Sequence, residues 1–370
     1  MDKQENAAPQ AVKRSFPHVL SAVVLIGTVL AFAVGSLTVR SRGTAAQSAI
    51  WKPVLNAYDS IRLGLGADCI GNVYLIDGRM LRRTTERSET QLLASAETVN
   101  AFAAEWDVPV CCAAVPTGAG VYSVLLSENA PRAGEAAALR TFTGALGDGV
   151  SAINLSPVFD SLREDAGYEI YYRTDPRWTS FGAFCAYQVI IRRLGFPAVG
   201  YDRFTVMHCN SSYFGTLAQE IQYFDVQPDI IDLYSNDAAP ALTRCTVWSA
   251  DGTAHSAAQY YSESPRTAGY GVFSAAEAPI VRAENALQNN RALLLLSDSY
   301  GAPMVPFLMQ HYQSVTAVNL ELAQGTDWRR LTADTEYTQV LILCSAETVA
   351  AEDGLLALRP AEEQERKQMQ

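Results

Sequence analysis

Leu293–Gly301 reads LLLLSDSYG. Four consecutive leucines show neither a helical period nor an alternation. A short apolar run of this kind fits a strand buried on both faces of a parallel sheet. Polar residues follow without a break. In open α/β sheets, ligands sit beyond the carboxyl ends of strands, which is where Asp298 and Ser299 fall. A serine there can expose its hydroxyl, with backbone N–H groups nearby to hold an oxyanion. The plainer reading is that Ser297, Asp298 and Ser299 cap the helix that follows, expected from about Ala302 to His311.

Working outward, the chain alternates strands and helices. VYLID from Val73, followed by GRML, reads as a hairpin around an Asp-Gly turn. Glu89 to Trp106 reads as a helix with Leu92, Leu93, Ala96, Val99 and Phe102 on one face. Strands are expected at Pro109–Val115, Val150–Leu155, Ser314–Leu320 and Gln339–Leu343. Helices are expected at Pro131–Leu146, with proline in the first turn, and at Ser180–Leu194, capped by Thr179 and Ser180. FGTL at Phe214 and DIIDLY at Asp229 look strand-like. The alternation implies an α/β sheet covered on both faces.

A second stretch, YYRTDPRWTSFGAFCAYQVIIRRLG from Tyr171 to Gly195, has the outline of a site rim. Asp175 could orient a base, as the acid of a serine triad does. Two residues on, where an imidazole would serve, stands Arg177, which cannot give up a proton in a protein. The alternative is an Asp–Arg salt bridge on a proline-shaped turn at Pro176. Trp178, Tyr171 and Tyr172 line a sugar site or belong to the core. The histidines offer no easy substitute. His18 lies at the apolar span described next. His311 falls three turns of the expected helix from Ser299, roughly 18 Å at about 1.5 Å per residue. His208 and His255 lie in irregular segments.

The chain has 370 residues, 49% hydrophobic and 18% charged, enough for a sizeable core. Val19–Val39 holds 21 residues without a charge, long enough to cross a bilayer of about 30 Å as a helix. A cleaved signal peptide competes with an uncleaved anchor, but its apolar core is shorter, at roughly 7–15 residues. Positive charges flank both ends, so they do not orient the span. Residues 1–42 hold five Lys/Arg and two Asp/Glu, which leaves residues 43–370 at −14 of the chain's net −11. A domain this acidic does not suit nucleic acid, whose binding rests on neutralising phosphates. The seven cysteines show no CxxC or Cys/His cluster, so neither a metal site nor a cofactor is expected. Cys111, Cys112, Cys185 and Cys344 read as free buried thiols; one disulfide is possible, and the sequence does not choose it.

These blocks, in this order, resemble the DHHW proteins, exported or membrane-anchored relatives of SGNH hydrolases and of the alginate O-acetylation proteins. The resemblance runs from about Asn72 to Leu320. It is carried by GNVYLIDGRML, VPVCCAAVPTGAGVYSVLLSENAP, YYRTDPRWTSFGAFCAYQ, YFGTLAQ, DIIDLY, YGVFS and LLLLSDSYGAPMVPFLMQHYQSVTAVNL. It implies a three-layer α/β sandwich of SGNH-hydrolase type, preceded by one N-terminal transmembrane helix. The implied organisation is a cytoplasmic tail (1–18), an anchor (19–39), a stalk (40–60), the main extracytoplasmic domain (61–350) and a polar tail (351–370).

It also implies that Ser299 holds the nucleophile position, Asp175 that of the triad acid and Arg177 that of the base. Arg177, Trp178, Tyr172 and Asp298 are then the residues expected to contact substrate. The chain departs from the family pattern in several places. Pro176 and Arg177 replace the two motif histidines. FSAAEA stands where a Gly-Asn is common, and VNLEL replaces Asp-Leu-Arg-Tyr. The implied role is to bind or help process cell-envelope polysaccharide, alone or with an assembly partner, with no nucleic acid involved. An active serine O-acyl esterase or acyltransferase and a purely structural member of an export complex stand beside it.

Overall fold

The computed structural model describes residues 52–84, 87–127, 134–164, 167–262 and 264–360, with the single residues 27, 30, 130 and 364. The expected anchor at 19–39 lies outside them, apart from Gly27 and Leu30. No helix among the described residues is long and apolar enough to cross a membrane. The chain forms two compact units, Met1–Gly71 and Asn72–Gln370. In the first, the described elements are the helix Lys52–Gly64 and strand β1 (Cys69–Ile70).

The second unit opens with the hairpin of β2 (Val73–Ile76) and β3 (Arg79–Arg82). Asp77 and Gly78 have φ of 50° and 69°. Positive φ at both turn residues is what a two-residue hairpin of matching twist requires. The remaining strands are β4 (Val110–Val115), β5 (Val150–Asn154), β6 (Thr205–Tyr213), β7 (Asp229–Ser235), β8 (Leu242–Trp248), β9 (Ala254–Ala257), β10 (Ile280–Asn285), β11 (Ala292–Ser297), β12 (Ser314–Asn319) and β13 (Gln339–Ser345). Eight of them form one mixed sheet in the order β5-β4-β13-β11-β12-β10-β8-β9. The five strands from β5 to β12 run parallel. From β12 outward, β10, β8 and β9 pair antiparallel. β6 and β7 pair separately.

Leu293–Leu296 all have zero exposure at the centre of the sheet. Each fully buried leucine contributes about 1.5–3 kcal/mol. Leu294 and Leu296 share a core with Leu92, Val99 and Phe102 of the helix Glu89–Ala103 and with Leu139 and Phe142 of the helix Glu135–Gly144. Leu293 and Leu295 are buried on the opposite face. Leu93, placed on the apolar face by its spacing, is instead exposed. Leu355, Ala357 and Leu358 pack into the same core, although they fall in the stretch read as a polar tail from residue 351.

Three further readings change. FGTL is not a strand: Gly215 caps the helix Thr216–Ile221. The helix after Ser299 is not continuous. A 3₁₀ turn, Ser299–Met304, is followed by one α-turn, Val305–Leu308, because Pro303 and Pro306 remove backbone donors. β8, β9 and β10 carry too little apolar alternation to have been read at all. None of the seven cysteines is in a disulfide.

Gly215 bears on the site directly. A Cβ there would lie 2.4 Å from Asp175 Cβ and 2.7 Å from the Thr174 carbonyl oxygen. Gly215→Ala is therefore expected to destabilise the protein by about 1–3 kcal/mol through overpacking. Thermal unfolding measures this, and an unchanged melting temperature would contradict the close approach.

Candidate active site

The loop before the helix Ser180–Arg193 is held at both ends. Tyr172 N donates to the Arg177 carbonyl at 3.2 Å, and Thr179 N donates to that of Ile170 at 3.0 Å. Buried Asp229 accepts from Arg173 N at 2.7 Å and from Thr174 N at 2.9 Å. This presents Asp175 at the loop's tip with its side chain fully covered.

Arg177 folds back onto Asp175 with two parallel bonds. Nε meets Oδ1 at 2.6 Å and Nη2 meets Oδ2 at 2.7 Å. Oδ2 also accepts from Tyr213 Oη at 2.8 Å and Thr216 N at 3.0 Å. The guanidinium lies over the Tyr270 ring, its carbon 3.7 Å from the centroid. A planar fork against a carboxylate is the strongest form of such a pair. Burial alone would raise the Asp175 pKa. Arg177's charge and hydrogen bonds, with Thr216 and Tyr213, outweigh burial and hold the carboxyl below its usual range. Arg177 is pushed upward by the same partner. This side chain neither accepts a proton nor leaves Asp175 free to orient one that does.

Ser299, half-buried, follows β11 directly. Asp298 beside it is turned inward. It accepts from Tyr300 N at 3.1 Å, Ser345 N at 2.7 Å and Thr348 Oγ1 at 2.7 Å. Its oxygens thus tie β11 to β13 and the helix after it. Two bonds join the serine turn to the Asp175 loop, Tyr300 Oη to the Pro176 carbonyl at 2.7 Å and Trp178 Nε1 to the Tyr300 carbonyl at 3.0 Å, and Tyr270, which lies under Arg177, donates its hydroxyl to the Ser299 carbonyl at 3.0 Å. Trp178 has no exposed surface, and Tyr172 packs between Tyr213 and Tyr270. Both form the wall behind the site rather than its face.

Of the six residues singled out in the sequence, Asp175, Arg177 and Ser299 thus converge, Trp178 and Tyr172 stand behind them, and Asp298 points away into the sheet. Four contributors had no signal of their own: Tyr213, Thr216, Tyr270 and Glu321. Glu321 lies just past β12, in a turn braced by Asn319 Oδ1, which accepts its N–H at 3.1 Å. Although the residue is exposed, its carboxyl lies near the Ser299 backbone. Burial of the carboxyl and then the Asp298 charge push its pKa up to about 7, with Arg177 opposing.

The described histidines are engaged elsewhere. His311 Nε2 pairs with Tyr187 Oη at 2.7 Å, and burial lowers its pKa to about 4. His208 Nδ1 pairs with Asp232 at 2.6 Å, five residues along β6 from Tyr213, roughly 16 Å away at about 3.3 Å per residue. His255 lies on β9, four strands from β11, or about 19 Å at the usual strand spacing. No group of side chains able to hold a metal occurs among the described residues.

A serine thus follows the central strand of a mixed α/β sheet, with a buried acid on a loop bonded to the serine turn. The family model described as DHHW protein matches residues 151–318, so the likeness to the DHHW family is shown over that segment. Bacillus cereus PatB1, solved with a sulfonyl adduct, shares 19% identity at a TM-score of 0.64, over 76% of this chain and 97% of its own. A DHHW family protein from Eubacterium siraeum shares 20% identity at a TM-score of 0.61, over 77% and 94%. The O-acetyltransferase domain of Pseudomonas putida AlgJ is a weaker likeness, at 15% identity and a TM-score of 0.46, over 81% and 99%. No curated protein matches. At these identities the likeness defines the fold.

Arg177→Met would strand the Asp175 carboxylate in a buried site, at an expected loss of about 3–5 kcal/mol. Asp175→Asn combined with Arg177→Met should lose much less than the two single changes together. Additive losses in denaturant unfolding would mean the two do not act as a pair.

Glu321 gives a pH signature. Its folded-state pKa lies above the ordinary glutamate value of 4.5, so its stabilisation is full below that pH and is lost as pH rises through about 7. Glu321→Gln lacks this loss. Its melting temperature relative to wild type should climb between pH 4.5 and 7 and then level off. A difference that does not vary with pH would contradict the placement of the carboxyl.

Proposed function

We propose that this chain is a membrane-anchored, extracytoplasmic protein with a three-layer sandwich of SGNH type, degenerate at the triad base, that binds or helps to process cell-envelope polysaccharide. The observation that carries this reading is the paired and stacked Arg177. The base position is filled by a permanent cation whose fork is committed to the triad acid, while the scaffold around it is kept. Losing triad members leaves a serine enzyme only about 10³–10⁴-fold over water. The Glu321 carboxyl near the Ser299 backbone points the same way, because an acid there opposes the negative charge that would develop at the serine. The apolar run Val19–Val39 supports the anchor, and the acidic remainder suits an exported domain.

A second reading, an active O-acyl esterase or acyltransferase using Ser299, is favoured by one observation. The serine turn and the acid loop remain tied together by Tyr270, Tyr300 and Trp178.

Hydrolysis of a generic acetyl ester by the full chain in detergent separates the two. The proposal expects turnover indistinguishable between wild type and Ser299→Ala, together with retention on immobilised envelope polysaccharide. Turnover that disappears in Ser299→Ala would overturn it in favour of the second reading.

A further inference from the structure

A cleft of about 580 Å³ opens between β8, β9 and the segment from Gly271 to Pro279. That volume lies within the range of small-ligand sites. It adjoins the site just described, since two of its lining residues, Gly271 and Leu322, directly follow Tyr270 and Glu321. Trp248 and Tyr261 supply aromatic wall, and Gln259 and Ser274 supply uncharged polar groups. Such a mixture of flat apolar surface and neutral hydrogen-bonding groups suits a sugar ring.

Its charge is one-sided. No lysine or arginine lines the cleft, and Glu277 is its carboxylate. That carboxylate lies across Gly271, where an added Cβ would fall 2.6 Å from Glu277 Oε1. The missing side chain at 271 thus makes room for an acid at the junction between the cleft and Tyr270. Glu321 is the second acid at this junction. The cation at the neighbouring site, Arg177, holds Asp175 with Nε and Nη2. Arg282 packs near the Trp248 ring but pairs with Asp334 at 2.7 Å and does not line the cleft. His255 and Tyr261 are the other titratable groups among the described lining residues.

We propose that the cleft receives a saccharide unit carrying no negative charge, amino-bearing or neutral, and rejects uronate- or phosphate-bearing chains. This rests on the polysaccharide reading and narrows it to a substrate class. Rejection comes from uncompensated like charge, which is how sites of similar shape discriminate between ligands. The net −14 of residues 43–370 acts in the same direction at longer range.

Calorimetric titration of the full chain in detergent at pH 6 tests this with three tetrasaccharides: fully deacetylated chitosan tetramer (cationic), chitin tetramer (neutral) and tetragalacturonate (anionic). The expected order is cationic, then neutral, then anionic, with at least a tenfold difference between the extremes that shrinks as salt is added. Glu277→Gln should remove most of the advantage of the cationic chain over the neutral one. Tightest binding of tetragalacturonate, or a charge preference untouched by Glu277→Gln, would overturn the proposal while leaving the polysaccharide reading in place. Binding of none of the three would overturn both.

Discussion

The Asp175–Arg177 pair is the constraint on which the site depends. A carboxylate with no exposed surface is tolerable only when it is fully paired and hydrogen-bonded. Arg177 supplies two of those bonds, and Tyr213 and Thr216 supply others from the next segment of chain. The guanidinium lies in turn on Tyr270, whose hydroxyl reaches the Ser299 carbonyl. One ion pair therefore sets the acid loop, the segment from Tyr213 to Thr216 and the serine turn against one another. The arrangement that makes the loop stable is also what removes its acid from proton chemistry.

The serine side is constrained just as tightly, and by its neighbour. Asp298 is committed to the sheet through Ser345 and Thr348, which fixes the direction in which the chain leaves β11. Ser299 is thereby presented at the strand end, with the Glu321 carboxyl near its backbone. A carboxyl there, a carboxylate at Glu277 and a guanidinium spent on Asp175 describe a surface that disfavours developing or resident negative charge. That character agrees with the acidity of the chain beyond its first segment.

Much of the scaffold was legible in the sequence because its signals are local. Four leucines in a row are a buried strand wherever they occur, and Asp77-Gly78 reads as a hairpin turn from two residues. The alternation of strands and helices gave the parallel half of the sheet. The antiparallel half was not legible, because β9 is an exposed edge strand, β8 beside it is half-exposed, and neither carries a continuous apolar run. Asp175, Arg177 and Ser299 stood out through chemistry at a spacing or at a strand end. Tyr213, Thr216, Tyr270 and Glu321 did not, since each lies far along the chain from the groups it touches. Asp298 looked like a ligand-facing acid. Only the β11–β13 register shows that its oxygens turn inward.

The most direct test of the central claim is the rate at which a sulfonyl fluoride labels Ser299 in wild type and in Arg177→His. The probe suits the comparison because PatB1, similar in fold, was solved with a sulfonyl adduct. If the guanidinium silences the site by holding the triad acid, wild type should label no faster than Ser299→Ala. Arg177→His, with an imidazole beside Asp175, should label about 100-fold faster or more, in keeping with what general-base assistance contributes. Wild type labelling as fast as Arg177→His would contradict the account and show that Ser299 already has a working base.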